Sequence, residues 1–151
     1  TQYRGGLGYL FLESKVFELL SVYLSEVLEL SILSSSYISI SKSDRDSITE
    51  AKRIIDSQLA FAPSCEELAK KVNISVSKLT KGFNSLFGTS VHAYIIDQRL
   101  EKAAGLLLES DLNVSQIATL VGYSKPSNFA AAFKKKYGVI PKNYKDENTI
   151  G

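Results

Sequence analysis

The sequence predicts an all-α chain: two small helical subdomains of like pattern, joined by one shared central helix and preceded by a separate apolar helix. Three observations carry that expectation. Apolar residues recur at three- and four-residue spacing through most of the 151 residues, which is the period of a helix face. Helix-start signals, Ser or Asn followed three residues on by Glu or Gln, stand at Ser47–Glu50, Ser64–Glu67 and Asn113–Gln116. Finally, one pattern occurs twice. Leu68, Ala69, Val72 and Ser75 match Ile117, Ala118, Val121 and Ser124 at an offset of 49. After one inserted residue, Leu79, Phe83, Phe87 and Gly88 match Phe129, Phe133, Tyr137 and Gly138 at an offset of 50. Each copy reads as a short helix, a turn, and a longer helix ended by glycine, which is a helix-turn-helix.

In chain order, the first element is strongly apolar. Tyr9, Leu12, Val16, Leu19 and Tyr23 step by three and four, widened by Phe17, Leu20, Leu24, Val27 and Leu28. A helix this apolar needs a partner: the rest of its own chain, a second copy, or the downstream domain. Gly6 and Gly8 before it invite a G-x-G-x-x-G reading, but Phe11 stands at the third glycine and no βαβ pattern surrounds them. They read as a loop or helix lead-in. Ser31 to Ser43 holds seven serines in thirteen residues and reads as a linker, its Tyr37–Ser41 alternation leaving room for a brief strand. The domain boundary is placed near Lys42, giving residues 1–42 and 43–151. Ser47 with Glu50 is read as opening a helix to about Ala60, with Ile48, Ala51, Ile55 and Leu59 inward. The first motif spans about 64–88, the second about 113–138. Between them, at about 90–110, Ala93, Ile96, Leu100, Ala103 and Leu107 mark the central helix, with Tyr94, Ile95, Ala104 and Leu108 widening its apolar side. About seven helices are expected from residue 43 on.

Charge is uneven although the net value is only +2. Residues 1–47 carry four basic and six acidic groups, whereas residues 64–144 carry eleven basic and six acidic. A basic half behind an acidic one suits a nucleic-acid module with a separate partner region. With one cysteine, Cys65, and one histidine, His92, no internal disulfide and no Cys/His zinc site can form. No cofactor is expected in this stretch. A reducing, cytoplasmic setting is expected, and no apolar run approaches the ~20 residues of a membrane span. Methionine is absent even at position 1, so the chain is expected to begin inside a longer protein.

The second copy, IATLVGYSKPSNFAAAFKKKYGVIPKNY, resembles the DNA-binding region of AraC/XylS-type bacterial transcription regulators; the resemblance runs from about Ile48 to Lys145. It implies a DNA-binding transcription activator or repressor with double-stranded DNA as ligand and RNA polymerase as a further partner. It also implies that the apolar first helix closes a regulatory domain, with self-association through residues 9–30. The stretch Tyr3-Arg4-Gly5-Gly6-Leu7 through Leu20 resembles the siderophore-responsive, pyochelin-regulator-like branch. That implies a small-molecule effector, a siderophore, bound by an N-terminal domain upstream. By the family pattern, Ser77, Thr80 and Lys81 point at bases, Lys78 and Asn84 lie nearer phosphates, and Ser75 shares their face. Lys81 stands where the family commonly has arginine, and a lysine offers a point charge rather than a fork. In the second copy Lys125, Ser127, Asn128, Ala130 and Ala131 are expected to face outward. The family's usual polar-then-arginine pair is here Ala130-Ala131, which leaves Ser127 and Asn128 as polar base readers. Lys134, Lys135 and Lys136 then offer charge to phosphates.

The remaining polar residues favour ordinary roles. Cys65, just inside a helix start, could serve as a redox thiol; the preferred reading is a small packing residue. His92 lacks a nucleophile partner. Arg99 could meet phosphate or tie the two subdomains together. No catalytic set converges anywhere in the chain, so an enzyme is not expected. The rival to DNA binding is a protein-interaction module whose working surface is the apolar first helix.

Overall fold

The structure, a computed structural model, describes residues 12–27 and 40–149. The chain divides between Ser39 and Ile40 into two compact units. In the first, residues 12–27 form helix α1. Its apolar residues Leu12, Val16, Phe17, Leu19, Leu20 and Tyr23 are exposed, and Lys15 pairs with Glu18 one turn on at 2.7 Å. Gly6, Gly8, Tyr9, Leu28 and the serine run through Ser39 lie outside the described residues.

The second unit holds α2 (Lys42–Ser57), a 3₁₀ turn η1 (Leu59–Phe61), α3 (Cys65–Lys71), α4 (Val76–Phe87), α5 (Val91–Glu109), α6 (Val114–Leu120), α7 (Pro126–Tyr137) and α8 (Pro141–Thr149). No strand occurs among the described residues. Both motif-opening boxes form as the spacing predicts. Glu67 N–H donates to Ser64 Oγ at 3.2 Å and Ser64 N–H returns a bond to Glu67 at 2.9 Å. Asn113 and Gln116 exchange the same two bonds, each at 2.9 Å.

The Ser47–Glu50 box does not form. Helix α2 starts six residues earlier, at Lys42, where Ser41 Oγ accepts from Asp44 N–H at 3.0 Å. Nothing between Lys42 and Asp46 breaks a helix, and Asp44 in the first turn suits the positive end of its dipole. Ser47 is left inside the helix, while Glu50 turns to Arg53, which grips it through Nε at 2.8 Å and Nη2 at 2.6 Å. The helix also ends at Ser57, not Ala60, with η1 completing the stretch.

Two cores form, and α5 serves both. The first gathers Ile48, Ala51 and Ile55 of α2, Leu68 and Ala69 of α3, Leu79 and Phe83 of α4, and Val91 and Ile95 of α5. The second gathers Leu100, Ala103, Ala104 and Leu107 of α5 with Ile117, Ala118, Val121, Phe129 and Phe133. At about 100° per residue, Leu100 lies roughly half a turn round the helix from Val91. The central helix is therefore not one wide apolar stripe but two apolar faces, opposed and successive. Ala93 consequently faces solvent, as does Leu108, instead of lying in the core.

The two cores differ in material. The buried centre of the first is aliphatic except for Phe83, whose ring meets half-buried Phe87 at 4.7 Å and Tyr94 at 5.6 Å. Helix α2 lies so close that a Cβ on buried Gly82 would collide with Ile48 Cδ1. The second is threaded by rings. Tyr123, Phe129 and Phe133 follow one another at 5.5 and 5.6 Å, and Tyr137 and Tyr144 flank Phe133 at 4.5 and 5.2 Å. Such ring pairs add about 0.5–1.5 kcal/mol each beyond the area they bury.

Candidate nucleic-acid interface

Both motifs turn the chain in the same way. Ile74 N–H bonds Ala69 C=O at 3.0 Å, and Tyr123 N–H bonds Ala118 C=O at 2.9 Å. The residue before each takes a positive φ, 57° at Asn73 and 99° at Gly122. The longer helices then end alike, on Gly88 and Gly138 in the left-handed region. The inserted residue falls before α7. Ser75 caps α4 by accepting from Lys78 N–H at 3.2 Å, but the equivalent position in the second motif is Lys125, not Ser124. Lys125 makes no side-chain cap, and Pro126 at the first helical position stiffens the start instead.

On α4, Ser77, Thr80, Lys81 and Asn84 are exposed and share one side, because they are spaced by three, four and seven residues. Leu79 and Phe83 hold the opposite side in the core, with Leu86 and Phe87 half-buried beside them. Thr80 spends its hydroxyl proton within the helix, on the carbonyls of Val76 at 3.0 Å and Ser77 at 3.2 Å. In that state it offers a ligand an acceptor and a methyl group. Lys78 leans the other way and pairs with Asp44 of α2 at 3.2 Å. Asp44, Lys70, Asn73, Ser75 and Lys78 line an open hollow at this end of α4. Asp44 escapes a reading of the sequence, since its contact with Lys78, across 34 residues, leaves no local pattern.

On α7 the matching side carries Ser127, Asn128, Ala131, Lys134 and Lys135, all exposed, with Lys125 exposed just ahead of them. Ala130 is half-buried rather than outward. Lys136, expected to offer charge to phosphates, is paired within the fold. Its ammonium reaches α5, to Asp97 at 2.5 Å and Glu101 at 3.3 Å. Partial burial works to lower its pKa, but the bonds to Asp97 and Glu101 prevail and hold it raised. Lys81, Lys134 and Lys135 carry no ion pair among the described residues. The structure thus brings one uncommitted cation to the middle of α4 and two to the end of α7.

Two of the remaining candidates are Cys65 and His92. Burial, then the neighbouring Glu66 charge, pushes the Cys65 thiol up, and its side chain packs on the first core. His92 is exposed in the first turn of α5.

A helix-turn-helix domain family matches residues 68–147 of this chain. The xylose operon regulatory protein of Escherichia coli K12 is 32% identical over 102 residues, which are 68% of this chain and 26% of that protein. The chain thus spans about a quarter of that relative's length. The solved DNA-binding domain of AdpA, a global transcriptional factor held there in complex with a target DNA, is 26% identical with a TM-score of 0.63. It covers 66% of this chain and 90% of that one. An AraC-type regulator from Chromobacterium violaceum shares the fold at a TM-score of 0.64 and 21% identity, over 71% of this chain and 96% of its own. No helix among the described residues is long and apolar enough to cross a membrane.

Proposed function

Since the chain belongs to the AraC-type helix-turn-helix family of DNA-binding transcription regulators, we propose that its two motifs read successive major-groove segments of one DNA site. The observation that carries this is the pair of like-built helices, α4 and α7, each showing a polar, cationic side and both mounted on α5. A helix of this kind enters the major groove with its first turns against base edges. Ser77, Thr80 and Lys81 read bases from α4, with Asn84 and Lys78 toward the backbone and Ser75 holding the helix start. Lys78 must first leave Asp44. From α7, Ser127 and Asn128 read bases, while Lys125, Lys134 and Lys135 meet phosphates. One chain then covers an asymmetric site, with its half-contacts about 34 Å apart.

The wider assembly follows from the sequence resemblance. The protein acts in the cytoplasm, α1 closes an upstream regulatory domain that binds a small effector of the siderophore class, and RNA polymerase is the downstream partner. Copies associate through residues 9–30, whose apolar side chains on α1 are exposed. Changing Leu12, Val16 and Leu19 together to Ser should then lower the sedimenting mass. An unchanged mass and unchanged stability would remove α1 from the assembly. The rival interaction-module reading draws no support from the family match, which begins at Leu68.

The test of DNA binding is a gel shift on genomic fragments, followed by titration against salt. Releasing the counterions of three to five phosphates gives a slope of about −3 to −4.5 in log K against log salt. A flat slope would mean that the exposed lysines touch no phosphate, and the reading would fail.

A further inference from the structure

Arg99 sits on α5 between its two apolar faces, and each of its three guanidinium nitrogens donates to a main-chain carbonyl. Nε donates to the Leu59 carbonyl at 2.8 Å and Nη2 to the Ala60 carbonyl at 3.4 Å, both in η1 of the first subdomain. Nη1 donates to the Gly122 carbonyl at 3.3 Å, in the turn of the second motif. One rigid, planar group therefore ties three carbonyls from two subdomains, which the single ammonium of a lysine could not do with the same geometry.

The backbone at this joint is independently close. A Cβ on Gly122 would lie 2.5 Å from the Ala60 carbonyl oxygen, 2.9 Å from its Cα and 3.0 Å from Arg99 Cζ. With φ at +99°, Gly122 also holds a conformation that side chains resist. Beside it, the buried Tyr123 hydroxyl has no hydrogen-bond partner among the described residues. Burial pushes the Tyr123 pKa up while the Arg99 charge pulls it down. The turn that launches α7 is thus seated on the first subdomain, in addition to being carried by α5.

We propose that Arg99 is a positioning residue for DNA recognition: by pinning the Gly122 turn to η1 it sets the separation of α4 and α7, and so the half-site spacing the chain accepts. Three of its five N–H donors already meet carbonyls, and it is those bonds that carry this role. This rests on the two-groove reading above.

The test has two arms on the 151-residue chain, carrying Cys65→Ser with Ser85→Cys and Ser115→Cys for spin labels. Distances are read without DNA, so neither label meets it. Pulsed electron resonance without DNA should give one narrow distance, and Arg99→Gln should broaden it. Arg99→Lys keeps the charge but should broaden it too, and it substitutes for Arg99→Gln if that variant fails to fold by circular dichroism. In the second arm, unlabelled chains bind duplexes with zero to five base pairs inserted between half-sites. The unmodified chain should lose about a hundredfold across that series, as linked sites do when geometry forbids joint engagement. The Arg99 variants should lose less than about tenfold, with affinity for a single half-site unchanged. An unbroadened distance, or an unchanged spacing profile in both variants, would overturn the proposal. Absence of DNA binding by the unmodified chain would sink the two-groove reading itself, and the label distances would still judge the joint.

Discussion

The two motifs are the same scaffold carrying different surfaces. Their short helices match at an offset of 49 and their longer helices at 50, Phe83 with Phe133 and the terminal Gly88 with Gly138. At the same offset of 50, their outward sides diverge: Thr80 and Lys81 become Ala130 and Ala131, whereas Asn84 and Ser85 become Lys134 and Lys135. On the reading proposed above, charge has moved from the part of the helix assigned to bases to the part assigned to backbone. That reading predicts a division of labour, with most of the sequence reading on α4 and most of the grip on α7. Inward positions answer to packing, which both copies share, so the outward ones are free to part.

The comparison is broken most forcefully from inside. Phe83→Ala or Phe133→Ala should each cost about 3–5 kcal/mol, the toll of truncating a fully buried ring. Because α5 contributes to both cores, chemical denaturation should remain a single transition in either variant. A two-step curve for Phe133→Ala, with the first subdomain persisting, would show two independent bodies and not one shared frame.

On the outer surface the expected effects are smaller and opposite in sign. Lys81→Ala should cost about 1–3 kcal/mol on the preferred site and relax base choice at one position. Ala131→Arg should tighten binding and create a new preference, for guanine, in the other half-site. Lys134→Ala and Lys135→Ala should weaken all sequences alike, each flattening the salt slope by about 0.9. All four belong on one randomised-site library at one salt concentration, with the slopes taken from a separate salt titration. Should Ser127→Ala and Asn128→Ala erase more specificity than Thr80→Ala and Lys81→Ala, the division of labour is reversed.

The gentlest test concerns helix starts. Ser75→Ala removes a bonded cap and should cost about 1 kcal/mol of stability. Lys125→Ala removes none and should stay within roughly 0.5 kcal/mol. Equal losses in thermal unfolding would mean that Lys125 supports α7 through a contact other than capping.

Much of this architecture is legible from residue order, because it rests on local rules. The repeat, both motif-opening boxes and the glycine stops are patterns of nearby residues. The same rule misfires at Ser47, since Ser-x-x-Glu also arises inside a helix, and Ser41–Asp44 meets the requirement earlier in the chain. The central helix misleads for another reason: spacing shows that residues are apolar, not that Val91 and Leu100 serve different cores. At the candidate interface, exposure of Ser77, Lys81, Asn128 and Lys134 follows from helix phase. That Lys78 is held by Asp44, and Lys136 by Asp97 and Glu101, does not, for those partners lie 34 to 39 residues away. Arg99 is the hardest case. Its partners are carbonyl oxygens, which every residue has and no sequence pattern marks.

The opposed faces of α5 make that helix a shaft that carries angle as well as distance. One residue added between Ile95 and Leu100 would advance everything beyond it by about 1.5 Å and turn it by about 100°. The second core, with α7 riding on it, would then swing to another side of the molecule, and the angle between the two outward surfaces would change with it. Length changes in this stretch are therefore not graded adjustments of reach. Each would re-clock the pair as a whole, which makes the four residues from Ile96 to Arg99 the least extensible part of the chain.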